Sequence, residues 1–74
     1  MQNFYLTVGQ KYRSEMHPNG MHPDGWCRIE ASDYTQAMRR AWDEFGRNFS
    51  RVQTEREFHK DKSFYPKGEL KVLQ

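Results

Sequence analysis

The chain contains a single cysteine, Cys27, so no internal disulfide can form, and a reducing, intracellular setting is the expectation. It has no long apolar run, which excludes a transmembrane helix. Met1-Gln2-Asn3 leads straight into a short alternating segment, so no secretory leader is expected. Charge of one sign is also missing. Twelve Lys and Arg stand against ten Asp and Glu, for a net charge of +2. That is neither the one-sided basic excess of a typical nucleic-acid binder nor the acidity of a DNA mimic. Length is short as well: 74 residues make one domain, residues 1–74, with no room for a second and little for an enzyme pocket. Only 35% of the residues are hydrophobic and mean hydropathy is -1.14, so the core is expected to be thin. A chain of this size buries only roughly 60% of its unfolded surface. What it does have is rings. Five Phe, four Tyr and two Trp make up 15% of the residues, and each buries much area. The expectation is a small folded domain that acts by binding rather than catalysis.

Phe4, Leu6 and Val8 alternate with Tyr5 and Thr7, the period of a strand with one buried face. A tandem repeat follows: Met16-His17-Pro18-Asn19-Gly20, then Met21-His22-Pro23-Asp24-Gly25. Each copy reads as a turn, because Pro presets φ, Asn or Asp favours turn conformations and Gly accepts positive φ. Cys27, Ile29 and Ala31 then alternate with Trp26, Arg28 and Glu30, which predicts a second strand antiparallel to the first. Ser32 is the expected N-cap of a helix ending at Phe45 with Gly46 beyond it; Asp33 with Gln36 gives a second capping register. Tyr34, Ala37, Met38, Ala41 and Phe45 form the apolar stripe, with Trp42 about 40° past its edge. Residues 49–54 predict a third strand with Phe49 or Val52 inward, residues 55–63 a loop or short helical turn, and residues 69–73 a last strand at a sheet edge, with Leu70 and Val72 on one face. The predicted fold is α+β: a small antiparallel sheet of three to four strands, in the order ββαβ(β), with one α-helix packed on one face. The reverse face, holding Tyr5, Thr7, Trp26, Arg28 and Glu30, is expected to be open.

Three kinds of site are compatible with these residues. The open face and the double turn offer a partner-binding surface built on Tyr5, His17, His22, Asp24, Trp26 and Arg28; Trp42 reads either as a core-rim residue or as a binding anchor, since Trp and Arg are favoured in hot spots. Arg39, Arg40, Arg47 and Arg51 offer a nucleic-acid surface, with Tyr5, Tyr12 and Trp26 available to stack bases. His17, His22, Cys27 and His59 are the conceivable metal ligands, but their spacing matches no usual zinc pattern, and no cofactor is expected. A Cys27–His22 nucleophile lacks any group to orient the base.

Several of these segments together carry a resemblance. Tyr12-Arg13 with Glu15, His17-Pro18, His22-Pro23-Asp24-Gly25-Trp26, Ile29-Glu30-Ala31, Ala37, Phe45-Gly46, Phe49, Phe58 and Pro66-x-Gly68-Glu69 resemble a family of small uncharacterised accessory proteins of tailed bacteriophages. The likeness spans most of the chain and is most specific at His-Pro-Asp-Gly-Trp with the strand and capped helix that follow. It implies a protein that works in the cytoplasm of an infected bacterium by binding a host protein, such as a defence component, and inhibiting it. It implies no catalytic residue. A nucleic-acid partner is the alternative, a membrane partner is not expected, and monomer and homodimer both remain open.

Overall fold

Alternation in the first two β-prone segments builds the centre of the sheet. The computed structural model describes residues 1–9, 21–47 and 49–74; Tyr12, His17 and the first copy of the repeat lie outside them. Strand β1 (Gln2–Thr7) pairs antiparallel with β2 (Gly25–Ala31), placing Phe4 opposite Ile29 and Leu6 opposite Cys27. Strand β3 (Arg51–Thr54) pairs antiparallel with the other side of β1, with Val52 opposite Leu6. Strand β4 (Gly68–Leu73) lies beside β2, giving the order β3-β1-β2-β4. The α+β class is as expected, and β4 is an edge strand. The expected all-antiparallel sheet is corrected in one pairing, because β4 runs parallel to β2. A shift in register between Trp26 and Cys27 sets Glu69 opposite Trp26 and Lys71 opposite Cys27. This irregularity breaks the simple alternation expected of Leu70 and Val72.

Helix α1 (Tyr34–Phe45) covers one face of the sheet. Its cap uses the second of the two predicted registers. Asp33, not Ser32, is the N-cap, and its Oδ1 accepts the Gln36 N–H at 2.8 Å. The Gln36 Oε1 in turn accepts from the Ser32 N–H at 2.7 Å and its hydroxyl at 3.1 Å, so Ser32 serves one position further out. At the other end Gly46 takes φ 60°, a conformation other residues adopt only with strain, and its N–H donates to Trp42 O at 2.9 Å. Ala37, Ala41 and Phe45 are buried against Phe4, Leu6, Cys27, Ile29 and Ala31. The small Ala side chains on both layers let helix and sheet approach closely. Met21, from the second copy of the repeat, completes this core, and Pro23 beside it is also buried. The turn after it closes through Gly25 N–H to His22 O at 3.1 Å.

The reverse face is not open. Helix α2 (Glu55–His59) and a 3-10 turn (Lys62–Phe64) cross it between β3 and β4. A capping box starts α2: Thr54 Oγ1 accepts the Glu57 N–H at 3.2 Å, and Glu57 Oε1 accepts the Thr54 N–H at 3.0 Å. Phe58 is its one buried residue. The ring stacks on Tyr5, meets Trp26 edge-on with centroids 5.1 Å apart, and leans on Tyr65. The expectation of an uncovered back is therefore corrected: Trp26 is only 7% exposed and Tyr5 is half-buried. The cause is topological. Parallel strands need a crossover of about a dozen residues, and with α1 occupying the front this one passes behind.

Candidate binding surface

The residues expected to form the docking surface are turned largely toward the chain itself. Tyr5 donates its hydroxyl to Glu55 Oε1 at 3.1 Å; burial and that carboxylate together raise its pKa above the usual phenol value. Trp26 is enclosed by Tyr5 and Phe58, with the Lys62 ammonium 5.8 Å from its ring centre. Arg28 is gripped by carboxylates: its Nε donates to Glu69 Oε1 at 2.9 Å, and its Nη1 to Glu30 Oε2 at 2.9 Å and Asn3 Oδ1 at 3.4 Å. The bond to Glu69, then that to Glu30, holds the guanidinium proton more firmly than usual. His22 and Asp24 belong to the turn before β2, where the Asp24 N–H donates to His22 Nδ1 at 3.0 Å and Asp24 O accepts the Lys67 N–H at 2.9 Å. The structure brings Tyr5, Trp26 and Arg28 onto one face, as predicted, but two of them lie in or beside an aromatic cluster and the third in an ion-pair network. His17 lies outside the described residues.

Among the described residues, the metal candidates His22, Cys27 and His59 are not gathered into a site. Cys27 faces α1 and is fully buried, and burial pushes its thiol pKa up to about 12, far from thiolate chemistry at neutral pH. His59 is on α2, across the sheet from it. Among the described residues no group of three or more His, Cys, Asp or Glu is arranged to hold a metal ion. The arginines are dispersed too. Arg40 reaches the β4 edge, where Nη1 donates to Gln74 O at 2.5 Å. Arg51 stands on β3 at the opposite edge, with its charge beside Glu57, whose carboxyl is lowered first by the Thr54 bonds and then by Arg51. Arg39 and Arg47 are exposed on and just after α1.

A different surface emerges on α1. Tyr34, Met38 and Trp42 follow one another at four-residue spacing and form a single row along the helix. Trp42 is 58% exposed and Tyr34 47% exposed, while Met38 packs partly onto the core. Tyr34 fixes which side the row occupies. Its ring meets Phe4 edge-on with centroids 6.1 Å apart, and its hydroxyl donates to Val52 O at 3.2 Å, so the row runs along the β3 flank. The other flank is polar: Glu44 pairs with Lys71, and a shallow groove of about 290 Å³ runs between Arg40, Asp43, Glu44 and residues Val72–Gln74 of the β4 end. The sequence held one signal for this surface, the position of Trp42 outside the buried stripe. Tyr34 belongs to the predicted stripe, and only the fold shows how much of its ring stays in solvent.

The chain matches no protein-family model, no curated protein and no solved structure. Among the described residues, no helix is long and apolar enough to cross a membrane.

Proposed function

We propose that this protein acts by binding another protein through the Tyr34–Met38–Trp42 row of α1, with no catalysis of its own. The observation that carries this reading is Trp42, a large ring 58% exposed on a helix capped at both ends and packed on a sheet. Leaving such a ring in water forgoes its burial, and Trp and Tyr on a rigid element are the groups that most often dominate binding energy. The helix is held before the partner arrives, so little order has to be gained on binding. In the setting implied by the resemblance to tailed-bacteriophage proteins, the partner is a protein of the infected bacterium, met in its cytoplasm and inhibited by occupation of its surface.

The test compares baits in a bacterial lysate: the full chain, Trp42→Ala, and Lys60→Ala as a control at the end of α2, behind the sheet. A partner retained by the full chain and by Lys60→Ala but lost with Trp42→Ala supports the reading. Equal recovery with all three removes the α1 row as the binding surface. Circular dichroism establishes that Trp42→Ala remains folded, as its exposed position leads one to expect.

A further inference from the structure

We infer that the partner segment seated on the α1 row is an acidic amphipathic helix, with an apolar ridge against Tyr34, Met38 and Trp42 and carboxylates against Arg39 and Arg47. This rests on the protein-binding reading above and specifies the chemistry of the partner. A row at positions i, i+4 and i+8 is a ridge of the kind that fits the groove of another helix. Strand addition on this flank is disfavoured, because the Tyr34 hydroxyl already donates to the Val52 carbonyl of β3, the edge strand. The occupant therefore engages side chains rather than backbone.

Charge gives the sign. Arg39 lies three residues before Trp42 on α1, about one helical turn away, and is exposed. Arg47 is exposed just past the Gly46 cap, itself four residues after Trp42. Neither forms an ion pair or a side-chain hydrogen bond with a described residue, whereas the cations of the opposite flank are engaged: Arg40 with Gln74 O, Lys71 with Glu44. The exposed acid between them, Asp43, stands four residues from each, and Asp33 at the head of the row is engaged in capping α1, so the Trp42 end of the row carries two guanidinium groups against one carboxylate. Pairing of Asp43 with Arg39 would run in the weaker orientation, Arg before acid. An apolar ridge bordered by unengaged guanidinium groups matches carboxylates flanking an apolar anchor, and bidentate pairing gives Arg particular value in that role.

The experiment titrates the isotope-labelled full chain with two synthetic helical peptides of about twenty residues. They share one Leu/Phe ridge, and their remaining positions are Glu in one and Lys in the other; a single-stranded DNA oligonucleotide is the third probe. The Glu peptide is expected to shift the Trp42 indole and α1 amide resonances while leaving the buried Trp26 indole in place. Its affinity should fall about tenfold or more between low and high salt. Arg39→Glu should weaken the Glu peptide by about tenfold and favour the Lys peptide. Equal or tighter binding of the Lys peptide overturns the acidic assignment while sparing the binding surface. Displacement of the Glu peptide from Trp42 by the oligonucleotide overturns it in favour of a nucleic acid. If neither peptide moves Trp42, the protein-binding reading itself falls.

Discussion

Phe58 lies flat on Tyr5, with ring centroids 4.7 Å apart and planes 9° from parallel. This stack decides which side of the molecule is free. Strands β3 and β4 sit at opposite edges of the sheet and point the same way, so the chain between them has to cross a face. It crosses the back, and Phe58 fastens it there against Tyr5, Trp26 and Tyr65. The aromatic face expected to be open becomes a second small core. The exposed rings that remain on a long element are those of α1.

Phe58→Ala should therefore be among the most damaging single changes. Truncating a buried Phe costs about 3–5 kcal/mol, comparable to the whole stability of a domain this small. Urea denaturation should show a large loss of stability. In a Trp42→Phe background, which leaves Trp26 as the sole indole, fluorescence emission should shift to the red. Phe58→Leu should retain much more stability. A neutral Phe58→Ala would show that α2 does not cover the back of the sheet.

The α2 cap carries a pH signature. Thr54→Ala removes the hydroxyl that accepts the Glu57 N–H, a loss of about 1 kcal/mol for a capping residue. The Glu57 carboxyl titrates below its ordinary value because the Thr54 N–H and hydroxyl donate to it. A pKa lowered by folding stabilises the fold above the unfolded value and stops doing so as pH falls through the folded one. The stability difference between the native chain and Thr54→Ala should thus be largest near neutral pH and shrink in acid below pH 4.5. Urea melts of both proteins at neutral and acid pH measure it; a difference that grows in acid would contradict the capping box.

Cys27 should be silent in the native protein. With the thiol pKa at about 12 and the side chain fully buried, a disulfide reagent at pH 8 should label it only as fast as the protein unfolds, and quickly once denaturant is added. The linkage has the opposite sign to that of Glu57. Folding raises this pKa above the ordinary 9.0, so the stabilisation is complete below pH 9.0 and is lost as pH rises toward about 12. Cys27→Ala should lose less stability than the native chain on going from pH 8 to pH 10.5. Rapid labelling of the folded protein at pH 8 would place the thiol at the surface.

Local features of this fold were legible because local physics determines them. Alternation located β1 and β2 with the correct inward residues, Phe4, Leu6, Cys27 and Ile29. Asp33 with Gln36, and Gly46 after Phe45, marked the two ends of α1. What alternation cannot encode is the direction in which a last strand joins the sheet. Leu70 and Val72 read as a strand whichever way it runs, and the parallel pairing with β2 depends on the path between. The back of the sheet followed from that path. One ring in a polar stretch, Phe58, carries the information, and Thr54 with Glu57 three residues on carries the capping box that starts α2. Trp42 lies outside the buried stripe, as its spacing predicts, and its exposure matters the more because Trp26 is buried.

The parallel register can be tested at one atom. A methyl group on Gly25 would fall on the Leu70 side chain and 2.8 Å from the Gly68 carbonyl oxygen. Leu70 is 40% exposed at the sheet edge and can turn aside, but the Gly68 carbonyl is backbone at the start of β4 and moves only if the strand moves. Gly25→Ala should cost about 1–3 kcal/mol, the usual range for forcing a group into filled space. A double-mutant cycle with Leu70→Ala separates the two contacts. If β4 lies parallel to β2 with Gly25 opposite Gly68, removing the Leu70 side chain recovers only part of the loss, because the carbonyl contact remains. Full recovery would mean that the side chain alone obstructs the methyl. A Gly25→Ala protein as stable as the native chain would show that the two strands never approach this closely.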